Sequence, residues 1–302
     1  MAGYRLATYR GKDGNRAGII IGDQCFDAAE LSGKPAYATM QAILDDWDAA
    51  DALLRGAKPS GGERKLSEVT LLAPLPLPGD IFCAGANYKD HVAEMTPAGA
   101  TPPPDPHELG LKPWHFIKAS RAVTDPGATV AIPDGCQKLD WEVELVAVIG
   151  RKARGLTMAN ALSCVAGYTI GNDLSARDLG QRPQVPQGSP FRTDWTAHKS
   201  FQGSCPLGPW IVPASEIADP QALGLKLWVN DVIKQDSNTS QMIYTLAEQI
   251  VQLTHRATLH PGDLVMTGTP AGTAAAHNHY LKAGDVVKCW VEGIGELTTR
   301  IG

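Results

Sequence analysis

The sequence predicts an α+β protein dominated by strands, with a small β-rich unit over residues 1–73 and a larger, sheet-rich domain over 74–302. Three observations carry that expectation. Short apolar runs are separated by Gly/Pro turns without the regular strand–helix alternation of a doubly wound fold. Helical spacing is confined to a few short stretches. The segment Leu71-Leu72-Ala73-Pro74-Leu75-Pro76-Leu77-Pro78 is a stiff extended connector, because each proline fixes its own φ and disfavours helix before it. The domain boundary is placed there.

In the N-terminal unit, Tyr4 to Tyr9 alternates weakly and Ala17 to Ile21 is apolar, with Gly11 to Asn15 as the turn between two strands. Met40 to Leu54 reads as one helix, with Ile43, Leu44, Trp47 and Leu54 at helical spacing. Lys58 to Arg64 is a Pro/Gly/charge-rich loop. Beyond the connector, strands are expected at 81–84, 128–132, 142–149, 210–212, 225–229, 264–267 and 286–291, and a helix at 246–254. Thr96 to Lys112 is rich in proline, and a segment of this kind is either an inert linker or an active-site cover.

Composition narrows the function. At 302 residues, with 43% hydrophobic and 20% charged residues, the chain can bury a sizeable core. A formal charge of −5 without a local basic cluster argues against nucleic acid. No apolar stretch approaches the roughly 20 residues of a membrane span, and residues 1–18 lack the apolar segment of a signal peptide. The six scattered cysteines have no zinc-ligand spacing and read as reduced core thiols of a cytoplasmic protein. There is no G-x-S-x-G, H-E-x-x-H, Walker A or G-x-G-x-x-G, so a serine acyl-enzyme and nucleotide chemistry have no support.

The most informative segment is Leu139-Asp140-Trp141-Glu142-Val143-Glu144-Leu145-Val146-Ala147-Val148-Ile149-Gly150. Side chains alternate across a strand, so Asp140, Glu142 and Glu144 share one face. An E-x-E pair of this kind is commonly a solvated face. Here, however, Leu145 to Ile149 is continuously apolar, as in a strand buried on both sides. Buried like charges repel, and a hard divalent cation turns that repulsion into binding. With Asp173, in the turn after a second short apolar run, Glu142 and Glu144 are the expected metal ligands.

His91 and Glu94 stand three apart and share a face if Asp90 to Met95 is helical. A carboxylate on one imidazole nitrogen leaves the other basic enough to deprotonate water, although a surface His–Glu pair has the same spacing. Lys118 and Lys199 lie in partly apolar stretches, where each could hold an anionic substrate or snorkel to solvent. The turn Gly268-Thr269-Pro270-Ala271-Gly272-Thr273 offers hydroxyls and amides to a carboxylate.

Together these segments resemble the fumarylacetoacetate hydrolase superfamily. The matching stretches are Gly85-Ala86-Asn87-Tyr88-Lys89-Asp90-His91, the acidic strand, Gly171-Asn172-Asp173-Leu174-Ser175-Ala176-Arg177-Asp178, Lys199-Ser200-Phe201, Val229-Asn230 with Gln235-Asp236-Ser237-Asn238-Thr239-Ser240, Pro261-Gly262-Asp263, Thr267-Gly268-Thr269-Pro270-Ala271-Gly272 and Gly293-Ile294-Gly295-Glu296-Leu297, in order over roughly residues 75–302. The resemblance implies a mixed β-roll catalytic domain in a homodimer. It implies Mg²⁺ or Mn²⁺ (with Ca²⁺ also accepted) at Glu142, Glu144 and Asp173, and a His91–Glu94 dyad that orders as the neighbouring lid closes. Lys199 then joins the dyad in catalysis, and Lys118, Arg177, Gln181 and Thr269 contact a small anionic oxo acid.

Two departures bear on the pocket: Ala86 stands where many members carry a larger residue, and Gly180 precedes Gln181 where the family commonly has Gln directly after Ala-Arg-Asp-Leu. The implied reaction is hydrolysis of a C–C bond in an acylpyruvate- or fumarylpyruvate-like 1,3-dicarbonyl acid of the kind met in aromatic catabolism. A decarboxylase or isomerase of a related 2-oxo acid, or a non-catalytic binding protein, are the alternatives.

Overall fold

The computed structural model describes residues 3–57, 61–97 and 99–302; part of the 58–64 loop and residue 98 of the Pro-rich segment lie outside the described residues. The α+β, sheet-dominated architecture matches the expectation. The large mixed sheet has twelve strands. Its main path runs Arg64–Lys65, Gln24–Asp27, Gly14–Ile21, Tyr4–Gly11, Cys205–Pro213, Val165–Asn172, Val143–Ile149, Leu264–Met266, Ile81–Ala84 and His115–Lys118. A second sheet orders Val232–Asn238, Gly224–Val229, Val286–Val291, Gly295–Ile301 and Thr129–Val130. No helix of the described residues is long and apolar enough to cross a membrane. All six cysteines are buried and unpaired.

The N-terminal unit does not have a sheet of its own. Tyr4–Gly11 joins the large sheet through Leu6 opposite Ile211, and the connector strand Leu71–Leu72 pairs back onto Tyr9 and Thr8. One core accordingly spans the boundary, with Leu6, Ile19, Ile43 and Trp47 packing with Val146, Val148, Ile211 and Met266. On the opposite side, Val143, Leu145, Ala147 and Ile149 pack with Leu225, Leu227, Val287 and Leu297 of the second sheet. Val143–Ile149 is thus buried throughout because a core covers each face.

The helix expected over 40–54 is two helices, Met40–Asp45 and Trp47–Gly56. Asp46 between them has φ −118° and ψ 35°, and its carboxylate is drawn out of helical register by the Tyr37 hydroxyl, at 2.6 Å, and Lys34. The acidic strand is also broken. Leu139–Asp140 pairs with Ser175–Ala176, whereas Val143–Ile149 pairs with Val165–Asn172. At the break, Asn172 Oδ1 accepts from the Glu142 backbone N–H, and the Trp141 indole donates to Gly272 O.

Candidate active site

Pairing of Val143 with Asn172 and of Glu144 with Gly171 carries the following residue, Asp173, alongside the two glutamates, and the Asp173 N–H donates to Glu142 O at 2.9 Å. Glu142, Glu144 and Asp173 are all buried, with one oxygen of each lying within 4.8 Å of the others. The sequence-predicted cluster therefore forms. Asp140 does not join it. The strand break turns its carboxylate to the Ala274 and Ala275 N–H groups and the Arg177 guanidinium.

Three cations answer the acids. Lys199, in the short helix Trp195–Lys199, donates from Nζ to Glu142 Oε2 and Asp173 Oδ2, each at 2.7 Å. Lys118 Nζ lies 2.8 Å from Asp173 Oδ1. Arg177 bridges Asp140 and Glu142. Burial by itself raises the Glu142 carboxyl, but Lys199 and Arg177 outweigh it and hold that acid well below the usual range. Burial likewise opposes the Lys199 charge, yet Asp173 and Glu142 hold its pKa above that of an ordinary lysine.

Glu144 differs. It has no cationic partner among the described residues, and its carboxylate accepts the Gly268 N–H at 2.8 Å. Burial, then repulsion from Asp173 and Glu142, drive its pKa well above normal. A buried carboxylate facing two others and lacking a counter-charge is where a divalent cation fits, and an all-oxygen donor set suits a hard ion. Glu142, Glu144 and Asp173 are thus the residues that could hold such an ion.

The expected helix is Lys89–Met95, and within it His91 Nδ1 meets Glu94 Oε1 at 2.6 Å. Burial tends to raise the Glu94 carboxyl, but His91 and the Gly272 N–H more than offset it and keep the acid ionised. The loop before this helix is pinned by Asn87, which donates to Tyr244 O and Thr267 O. Ala86 in that loop has φ +45°, in the left-handed region that residues with a Cβ rarely adopt. His91, the acidic triad, Arg177, Lys199 and Thr269 line one cavity of about 160 Å³, room for a small organic acid.

The structure redirects several expectations. The 268–273 turn does bind carboxylates, but they belong to the chain itself: Gly272 N donates to Glu94, Ala271 N to Asp90 and Gly268 N to Glu144. Thr269 reaches the pocket wall, yet its hydroxyl donates to Val143 O and accepts from Gln235 Nε2, each at 2.9 Å. Lys118 is fully buried and neither snorkels nor lines the cavity, since its ammonium also donates to Ser204 O, Ser204 Oγ and Lys199 O. Arg177 lines the cavity but spends its charge on two acids. Gln181 is exposed, bridges to Thr193 and does not line the cavity.

Sequence reasoning placed Gln235 in a family-like stretch but missed its role: its side chain accepts from Val143 N and donates to Thr269 Oγ1 and Pro270 O, fixing the start of the acidic strand to the turn. It also missed the aromatic wall of Trp114, Phe116 and Trp195. Both signals were present only as residue types, a glutamine in a polar strand and aromatics beside the candidate lysines.

A metal-ready acid cluster at the end of a sheet strand, beside a His–Glu dyad, defines a class of enzymes acting on small acids. The chain belongs to the fumarylacetoacetate hydrolase family: residues 80–302 match the model described as fumarylacetoacetate (FAA) hydrolase C-terminal. It is 36% identical over 237 residues to bovine oxaloacetate tautomerase FAHD2A, mitochondrial, covering 78% of this chain and 70% of that protein. Among solved structures it is similar to a fumarylacetoacetate hydrolase from psychrophilic Exiguobacterium antarcticum, with a TM-score of 0.79, 30% identity and 99% of each chain covered. It is also similar to maleylpyruvate hydrolase from Sphingobium sp. SYK-6, solved with manganese(II) and pyruvate, with a TM-score of 0.74, 28% identity and 98% of each chain covered. The family thus includes both hydrolases and a tautomerase.

Proposed function

We propose that this protein is a divalent-metal-dependent hydrolase that cleaves a C–C bond in a small 1,3-dicarbonyl acid of the acylpyruvate type. The observation that carries the reading is His91, held by Glu94, lining the same small cavity as the buried Glu142–Glu144–Asp173 cluster. Mg²⁺ or Mn²⁺ held by these three acids would supply Lewis-acid charge to the substrate's carboxylate and adjacent oxo group.

The chain's own residues supply the proton chemistry. Glu94 accepts the Nδ1–H of His91 and fixes the tautomer, leaving Nε2 as the base. Nε2 takes a proton from water, whose oxygen adds to the distal carbonyl. The C–C bond breaks, its electron pair passes to the pyruvate fragment as an enolate, and the Nε2 proton returns to that carbon. Lys199 adds fixed positive charge beside the acids it holds, where negative charge develops. Lys118 acts on Asp173 from behind and is a positioning residue.

A second reading is keto–enol isomerisation of oxaloacetate, favoured by the 36% identity to a protein of that activity. There the same Nε2 atom removes a carbon-bound proton and no water adds. Incubation with acetylpyruvate, benzoylpyruvate, fumarylpyruvate and oxaloacetate in saturating Mg²⁺ or Mn²⁺, with product analysis, separates the two. Hydrolysis yields pyruvate and a second acid, and tautomerisation yields no cleavage. Absence of any cleaved acid across the panel rejects the hydrolase assignment. Assembly as a homodimer belongs to the same proposal, and a monomeric mass in sedimentation rejects that part.

A further inference from the structure

The cavity has two chemically different ends. At the buried end are the three acids, each no more than 5% exposed. At the open end Trp114 is 49%, Trp195 43% and Met95 51% exposed, a cluster of large apolar side chains open to solvent. Trp195 stacks on Phe116 at 5.0 Å between ring centroids and meets Trp114 edge-on at 5.9 Å. His198 stacks on Trp195 at 5.5 Å.

This wall is built into the backbone. A Cβ on Gly85 would lie 1.9 Å from the Trp114 ring, and one on Gly180 would lie 2.6 Å from the His198 ring, so two side-chain-free positions seat the rings. The Gly85 N–H also donates to Trp114 O.

Charge completes the argument. Among the described residues, each lysine and arginine lining the cavity faces an acid of the chain: Lys199 faces Glu142 and Asp173, and Arg177 faces Asp140 and Glu142. His198 stays neutral at pH 7 because burial, with Lys199 and Arg177 nearby, lowers its pKa to about 4. Its Nε2 is buried without a hydrogen-bond partner, so the ring offers the cavity no charge. A second substrate carboxylate would meet aromatic rings there, and the lysine nearest them, Lys199 over Phe116 at 5.4 Å, already faces two acids; for the carboxylate, losing its hydration without a partner is costly.

We propose that the end of the substrate beyond the reacting carbonyl is an uncharged aryl or bulky apolar group, not a second carboxylate, and that Trp114, Phe116 and Trp195 receive it. The proposal rests on the acylpyruvate reading above and narrows it to aroyl- or bulky acylpyruvates. It separates this chain from relatives whose named substrates, oxaloacetate and maleylpyruvate, end in a carboxylate.

The test is calorimetric binding of three unreactive probes to the full chain in saturating Mn²⁺: oxamate, its N-phenyl derivative oxanilate, and its N-carboxymethyl derivative N-oxalylglycine. All three offer the same oxo-acid end. Oxanilate is expected to bind at least 10-fold tighter than either other probe. In Trp195→Ala the oxanilate-to-oxamate ratio should fall toward one, and in Trp195→Phe, which keeps an aromatic ring, most of it should survive. N-oxalylglycine binding tightest, or a ratio unchanged in Trp195→Ala, overturns this inference while leaving the acylpyruvate reading standing. Binding of none of the probes overturns that reading, and the inference with it.

Discussion

Replacing Lys118 by methionine tests how the acidic cluster is held. The two side chains are similar in length, so the change removes charge and hydrogen bonds more than volume. In the native chain the Lys118 ammonium is fully buried, lies 2.8 Å from Asp173 Oδ1, and donates to Ser204 O at 3.0 Å and Ser204 Oγ at 3.1 Å. The variant leaves Asp173 with Lys199 alone and strips a donor from each serine acceptor. Breaking one partner out of a buried ion pair costs about 3–5 kcal/mol. At about 2.1 cal/mol/K of unfolding entropy per residue, this chain converts each kcal/mol into a Tm shift of about 1.6 °C. Lys118→Met should therefore melt about 5–8 °C below wild type in calorimetry on metal-free protein at pH 7. If Lys118 instead contacted substrate, Tm would hold and KM would rise. A Tm within about 1 °C of wild type, with a ten-fold higher KM, refutes the positioning role.

Three further outcomes are expected. His91→Ala should lose about 10²–10⁴-fold in turnover while Mn²⁺ affinity by calorimetry stays within a few-fold, since His91 is not one of the clustered acids; equal loss of both contradicts its role as base. Mn²⁺ at about one hundred times its Kd should stabilise the native protein by about 2.7 kcal/mol, about 4 °C in Tm, and EDTA should reverse it. Glu144→Gln should abolish the shift, and a shift that persists there would move the metal elsewhere. Burial lowers the pKa of His115 to about 4 from an ordinary 6.5. As pH falls through 6.5 the unfolded chain takes up that proton first, so this contribution is complete above pH 6.5 and drains away down to pH 4, on the order of 3 kcal/mol. His115→Gln should flatten the acid limb of stability against pH, and an unchanged slope would place the His115 ring in a solvated setting.

Local patterns were legible wherever neighbours in sequence decide the outcome. The run from Leu145 to Ile149 read as a strand covered on both faces, and it is. The i, i+3 spacing of His91 and Glu94 read as one helix face, and their side chains meet. Other segments carried no such signal. Val232–Asn238 is polar and lies at the edge of its sheet, so its strand character comes from pairing with Gly224–Val229 through a turn at Asn230 and Asp231, both at positive φ. Asp46 breaks a helically spaced stretch because Tyr37 and Lys34 compete for its carboxylate.

By itself the sequence determined the ingredients: acids two apart on a strand, a histidine one helical turn from a glutamate, and a fold assembled from short strands. The tertiary structure decided how they are spent. Lys118 reaches Asp173 across 55 positions, Arg177 is taken by Asp140 and Glu142, and amides of the 268–273 turn fall to Glu94, Asp90 and Glu144 rather than to a ligand. Whether a charged group serves substrate or scaffold depends on which opposite charge lies within about 4 Å in low dielectric. Sheet register sets that distance between segments far apart in the chain, and a spacing pattern within either segment carries no trace of it.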